Sequence, residues 1–227
     1  MNYSYWEYKE WFTGNDFVII GSGIVGLNCA INLRERFPTS KIIILEKGFL
    51  PQGASTKNAG FACFGSTSEL LSDLKTHSEQ EVFQLVKKRW EGLQLLRNLL
   101  GDKNIDYQHH YGYELFSDEA FFEKCEQKKA ELNQLLFPLF KNAVFSSVHN
   151  KFKFKKTVPT YLVNQFEGQI DTGKMLSQLL KIAQQKGIII LNNTTVQGFS
   201  EDTNKVKIET DQGVFTASKL FFATNGF

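Results

Sequence analysis

One hexapeptide, Gly21-Ser22-Gly23-Ile24-Val25-Gly26, constrains the fold of this 227-residue chain more than any other segment. It follows Phe17-Val18-Ile19-Ile20, an apolar run without alternation, as in a strand covered on both faces of a parallel sheet. Ile24 to Arg36 continues with helical spacing until Pro38 stops it. Lys41 to Leu45 is a second buried run, and Glu46 closes it. Strand, glycine turn, helix and strand make a βαβ unit, so the fold class is α/β with a Rossmann-like parallel sheet.

The spacing has a physical reason at each position. Gly21 permits a tight turn, Gly23 lets an anion approach the backbone, and Gly26 lets the helix pack close on the strand. Free N–H groups at the helix start, aided by the helix dipole, receive a diphosphate. Glu46 can accept hydrogen bonds from ribose hydroxyls, and its charge repels a 2′-phosphate. An ordinary α/β glycine turn uses the same residue types; it is the flanking strands, the helix and the acid that together indicate a dinucleotide. The unit alone leaves FAD and NAD both open. Lys47 is counted with the site, though a solvated neighbour reads the same way.

Gly48 to Gly65 is a long polar loop, a length that in compact domains accompanies function. Ser66-Thr67-Ser68-Glu69 and Ser78-Glu79-Gln80-Glu81 are capping boxes that each predict a helix start. The second helix ends at Gly101, with Val82, Val86, Leu93, Leu96 and Leu100 on one stripe. A strand is expected over Tyr111 to Phe116, a helix over Asp118 to Leu136 ended by Pro138, and strands over Lys151 to Lys155 and Tyr161 to Glu167. A helix capped by Asp171 runs from Thr172 to Lys186, then a buried strand from Ile188 to Leu191. Val196 to Phe199, Lys205 to Thr210 and Gly213 to Thr216 read as a meander, and Leu220 to Ala223 as a last buried strand.

Composition narrows the classes. A net charge of +2 argues for neither nucleic acid nor an anionic membrane as partner. No apolar stretch approaches a membrane span, and the first residues lack a signal-peptide pattern. Cys29, Cys63 and Cys125 are widely spaced and form no CxxC pair, as in a reducing cytoplasm. The 21 phenylalanines suggest a well-filled interior.

Beyond Glu46, the small-residue segment Gly53-Ala54-Ser55-Thr56-Lys57-Asn58-Ala59-Gly60 resembles the flavin loop of the D-amino-acid oxidase family, which includes glycine and sarcosine oxidases. Gly168-Gln169-Ile170-Asp171, Thr195 to Phe199, Lys207 to Thr210 and Lys219 to Gly226 are similar to further family segments. The resemblance implies an FAD-binding domain (GR2-type) over 1–70 and 168–227, and part of an α+β substrate domain over 71–167. It implies an FAD cofactor, a small amine or amino acid substrate, and oxidation of a C–N bond by hydride transfer to the flavin. Ser55, Asn58, Ala59 and Gly60, with Gly53 and Ala54, would then lie along the flavin, Val196 by the adenine, and Ala223, Thr224 and Gly226 by the diphosphate.

Family chains run well past this length, so the sequence is read as an N-terminal portion, and the catalytic residues are not assigned. Exposed sheet edges would make such a portion retain flavin weakly. Three alternatives stay open: a superfamily enzyme acting on a 2-hydroxy acid or glycerol phosphate, a non-catalytic dinucleotide-binding remnant, and an NAD-dependent dehydrogenase. Lys57, the His109-His110 pair, Tyr111, Tyr113 and Cys63 are further candidates for the site; a solvated or packed role is the simpler expectation for all of them. The Lys151 to Lys156 run reads as a solvated face, and no metal-ligand spacing is present.

Overall fold

A computed structural model describes residues 3–225. From the N-terminus the elements are α1 (Tyr5–Glu7), which runs into a π-helical turn over Tyr8–Phe12, then β1 (Asn15–Ile20), α2 (Ile24–Arg36), β2 (Ile42–Leu45), α3 (Ala54–Lys57) and β3 (Phe61–Ala62). Next come α4 (Thr67–Asp73), α5 (Glu79–Leu100), β4 (Gly112–Glu114), α6 (Glu119–Phe140), β5 (Phe145–His149), β6 (Thr160–Asn164) and β7 (Gly168–Gln169). The chain continues through α7 (Thr172–Gln185), β8 (Ile189–Leu191), β9 (Val196–Asp202), β10 (Lys205–Thr210) and β11 (Gly213–Phe222). Residues up to Ala59 and from Thr172 onward form one compact unit, and Gly60–Asp171 form the other. These crossings lie at 59/60 and 171/172, not at 70 and 168 as the sequence suggests. The reason is that β3 pairs with β7, setting Phe61 opposite Gln169, and the Ile170 N–H donates to the Gly60 carbonyl at 2.8 Å.

The first unit carries a six-stranded sheet in the order β8-β2-β1-β11-β10-β9. β8, β2, β1 and β11 are parallel, while β10 and β9 add on antiparallel. Val18 lies beside Ile43 on one side and Leu220 on the other. Val18, Ile43, Leu45, Ile208, Phe215 and Ala217 form the core of this unit, each buried large side chain contributing about 1.5–3 kcal/mol. Phe12 closes it, stacking on Phe215 at 4.3 Å. The strands expected at Gly213 to Thr216 and Leu220 to Ala223 are a single strand. β11 pairs antiparallel with β10 up to Ala217 and then parallel with β1 from Ala217 to Phe222. Ser218 and Lys219 are exposed but include neither glycine nor proline, so the pleat carries through them.

In the second unit, β4, β6 and β5 make an antiparallel sheet beside helices α4 to α6. Both capping boxes are formed: Ser66 and Ser78 accept from the Glu69 and Glu81 amides while each Glu reaches back. Only part of the phenylalanine-rich composition goes into this core, where Phe64 stacks on Phe140 at 5.0 Å and Trp90 meets Phe140 edge-on at 5.1 Å. Others, among them Phe37, Phe49, Phe61 and Phe222, are exposed, so the expected filling of the interior holds only in part. Gly92 lies exposed in the middle of α5 with nothing within 4 Å of where a Cβ would stand, so Gly92→Ala is expected to stabilise the chain by about 0.5–1 kcal/mol. A lower urea midpoint in the variant would contradict this.

Three further sequence expectations are corrected by the structure. Pro138 does not end α6 but sits within its last turn; the helix runs two residues further, to Phe140, and Lys141 closes it at φ 54°, donating to the Phe137 carbonyl. A proline removes its own N–H and crowds the carbonyl four residues before it, but leaves the N–H groups of the residues after it free to bond, so the last turn closes before the chain turns away. Lys151 to Lys155 is not a strand: Lys153 and Lys156 have φ of 59° and 60°, which breaks the pleat. The strand expected over Tyr111 to Phe116 shrinks to Gly112–Glu114, because Tyr111 takes φ 68°. Among the described residues no helix is long and apolar enough to cross a membrane.

Candidate functional site

The first unit brings the glycine turn and Glu46 together. Gly21 turns at φ 101°, and a Cβ there would meet the Ala223 carbonyl oxygen at 2.7 Å. A Cβ on Gly26 would lie 1.9 Å from the Gly21 carbonyl oxygen, so the first turn of α2 can pass this close to the glycine turn only with a glycine here. Glu46 is 7% exposed at the end of β2. Its Oε2 accepts from the Ser22 amide at 2.9 Å and the Ser22 hydroxyl at 2.7 Å, and its Oε1 accepts from the Gly48 amide at 2.9 Å. The carboxylate therefore points at the glycine turn, and the buried Ser22 locks it there.

The start of α2 is open. Gly23 is its N-cap and has no side chain to cap it. The Ile24 N–H donates to Ser55 Oγ at 3.0 Å, a cap supplied by the small helix α3. Among the described residues no acceptor meets the amides of Gly23, Val25 and Gly26, and Val25 is 65% exposed. A Cβ on Gly23 would sit 3.0 Å from Ser55 Oγ, in the space before the helix. Three donors at the positive end of a helix, with a carboxylate anchored beside them, are suited to an anion followed by a polyhydroxyl group.

Other candidate residues gather around this turn to differing degrees. The Thr194 N–H donates to the Glu46 carbonyl at 2.9 Å and the Asn193 N–H to that of Gly48 at 3.1 Å, which sets the start of β9, with Val196, next to Glu46. Ala223 donates its N–H to the Ile20 carbonyl at 2.9 Å, so Ala223 and the exposed Thr224 follow the sheet edge above Gly21. Lys47, Gly53 and Ala54 are exposed, as is Ala59. Asn58 caps α3, its Nδ2 donating to the carbonyls of Ala54 and Ser55 at 3.2 and 3.0 Å. Gly60, at φ 78°, belongs to the second unit. Gly226 lies outside the described residues. The roles of Ser22 in holding Glu46 and of Ser55 in capping Ile24 are not readable from spacing; a serine between two motif glycines is the one available signal for the first.

Of the candidates in the second unit, His109 bonds to the Gln165 carbonyl at 2.7 Å and His110 to Gln108 at 2.6 Å, both outside any strand. Tyr113 packs edge-on against Phe152 and Tyr161. Cys63 is an exposed free thiol, and partial burial, with Glu167 and Glu69 nearby, pushes its pKa up. Among the described residues no cluster of His, Cys, Asp and Glu could hold a metal ion.

The model of the family described as FAD dependent oxidoreductase matches residues 16–227. The bifunctional protein ThiO/ThiG of Synechocystis sp. is 25% identical over 236 residues, covering 95% of this chain and 30% of that protein. Among solved structures, glycine oxidase from Geobacillus kaustophilus superimposes with a TM-score of 0.68 at 18% identity, covering 93% of this chain and 55% of that one. NikD, an amino acid oxidase of nikkomycin biosynthesis, gives 0.67 at 19% identity over 93% and 51%. L-amino acid deaminase from Proteus vulgaris gives 0.66 at 18% over 92% and 47%. The chain thus spans about half the length of these solved structures and under a third of the curated relative. By the match over residues 16–227, the chain belongs to the D-amino-acid oxidase type family of FAD dependent oxidoreductases.

Proposed function

We propose that this chain supplies the FAD-binding portion of an enzyme that oxidises the C–N bond of a small amine or amino acid. The observation that carries the cofactor reading is the Glu46 carboxylate, fixed by Ser22 beside the open start of α2. The amides of Gly23, Val25 and Gly26, within the Gly21 to Gly26 turn, would hold the diphosphate, with Ala223 and Thr224 beside it. Glu46 would hold the ribose, with Val196 by the adenine. Ala54, Ser55, Asn58, Ala59 and Gly60 would run along the ribityl chain and ring. The residues fit the group: uncapped donors face an approach that no Cβ obstructs, and an acid stands where sugar hydroxyls follow. A flavin bound there supplies acceptance of a hydride from the carbon next to nitrogen, and the protein supplies binding and orientation. The amine or amino acid class rests on the similarity to glycine oxidase and to the amino acid oxidase NikD.

Titration with FAD and with NADP tests the cofactor reading. FAD is expected to bind more tightly, because a 2′-phosphate meets the Glu46 charge. Glu46→Gln keeps the side-chain shape but loses the charge and one of the two acceptor oxygens, and should weaken FAD about tenfold, the scale of one charged hydrogen bond. Equal affinity for NADP, or an unchanged FAD affinity in Glu46→Gln, would overturn the reading. Substrate class is read from anaerobic bleaching of the flavin-loaded protein. Amino acids or amines are expected to bleach it; bleaching by 2-hydroxy acids alone would reassign the reaction.

A further inference from the structure

The β5–β6 hairpin of the second unit ends in a loop whose chemistry the flavin site does not use. Residues 151–156 read Lys-Phe-Lys-Phe-Lys-Lys and are all exposed. Between Glu131 and Glu167 the sequence contains no Asp or Glu, though the chain as a whole holds 24 acids against 26 Lys and Arg. The positive charge is therefore local, not a property of the composition. Glu126, which reaches β5 at Ser147, is already paired with Lys129 at 2.6 Å.

The loop is also firmly built. Asn150 Nδ2 donates to the Phe154 carbonyl at 2.9 Å, and the Phe154 N–H donates to Asn150 Oδ1 at 3.2 Å. The Tyr161 hydroxyl donates to the same Oδ1, and the Asn150 N–H donates to the Pro159 carbonyl at 2.9 Å. Phe154 is 54% exposed, yet both its backbone polar groups are satisfied. Phe152 is 48% exposed, stacked on Tyr161 and edge-on to Tyr113, with the Lys151 ammonium 4.5 Å from the Tyr113 ring centroid and 2.5 Å from its hydroxyl.

We propose that this loop is a docking surface for an anionic lipid bilayer, with Phe154 and Phe152 entering the interface and Lys153, Lys155 and Lys156 meeting lipid phosphates. Three features favour this occupant. The aromatic side chains project from a hairpin end, the shape that enters a surface. The Phe154 peptide carries no bare donor or acceptor into the apolar zone. Lysines alternate with the rings, so charge and apolar area meet the bilayer together. A single-stranded nucleic acid would instead call for a basic groove with stacking platforms along it.

Vesicle co-sedimentation tests the proposal, using phosphatidylcholine alone and phosphatidylcholine with 30% phosphatidylglycerol, a roughly physiological anionic content. Binding is expected to the anionic vesicles only, and to fall as salt rises. Lys153→Gln with Lys155→Gln should lower partitioning by roughly tenfold or more. Phe154→Ser leaves the charge unchanged and should lower it by on the order of tenfold, with an unchanged unfolding midpoint showing that the fold is kept. Absence of binding to anionic vesicles, equal binding to both vesicle types, an unaffected Phe154→Ser variant, or tighter binding to a single-stranded oligonucleotide would each overturn it.

Discussion

Gly26→Ala is expected to cost about 3 kcal/mol or more and to abolish the nucleotide turn, because the new methyl has nowhere to go. Its position lies 1.9 Å from the Gly21 carbonyl oxygen, 3.1 Å from the Gly21 carbonyl carbon and 3.3 Å from the Ala223 Cβ. The first two are backbone atoms. Gly21 is held in turn, its N–H donating to the Leu45 carbonyl at 2.8 Å, and Ala223 is tied to Ile20. A flexible side chain could swing aside, but here β1, β2 and β11 would have to shift together, which places the substitution above the usual range for overpacking. Gly53→Ala is the matched control. Gly53 is the N-cap of α3, with φ of −81° and nothing within 4 Å of its missing Cβ, so its replacement should move the midpoint by less than about 1 kcal/mol. Urea unfolding of both variants decides the matter: a Gly26→Ala midpoint within error of the Gly53→Ala midpoint would contradict the close approach of α2 to the turn.

Where a structural feature rests on neighbours in sequence, it is readable there. The β1–α2–β2 unit follows from an apolar run, three spaced glycines and an acid that lie close together along the chain, and α2 spans Ile24–Arg36 as its periodicity implies. Both capping boxes are equally local. Alternation misleads at Lys151 to Lys155, because period-two spacing also arises in a loop whose left-handed residues turn successive side chains outward. The unity of β11 is hidden because one strand changes partner midway, and only the sheet shows it. Phe61 with Gln169, and the cap of Ile24 by Ser55, join residues 108 and 31 apart, and no pattern within either segment announces them. The candidate site is legible in its glycines and Glu46, while the serines that fix their geometry are not.

The strongest pH dependence of stability is expected from Glu167, whose environment no sequence pattern announces. It is 8% exposed. Its Oε1 accepts from the amides of Phe64 at 3.1 Å and Gly65 at 3.3 Å, while Oε2 lies against Gly112, 2.1 Å from where a Cβ would stand. Arg89 holds the Phe64 carbonyl at 3.0 Å and Asn164 that of Gly65 at 3.3 Å, so one buried acid, one arginine and one amide fix a single turn. Burial raises the carboxyl from 4.5 to about 7; the two amide bonds oppose this, and the Glu69 and Glu114 carboxylates add to it. A carboxyl with a raised folded-state pKa favours folding most when protonated. Its contribution is present in full below about pH 4.5 and is lost as pH rises through about 7. At about 1.4 kcal/mol per pH unit the change is on the order of 3 kcal/mol. Glu167→Gln keeps an oxygen for the two amides and cannot ionise. Its unfolding midpoint should vary less between pH 5 and pH 8 than the parent's, and should equal or exceed the parent's at pH 8. Parallel profiles for the two proteins would mean that Glu167 ionises freely in the fold, and the account of its burial would fail.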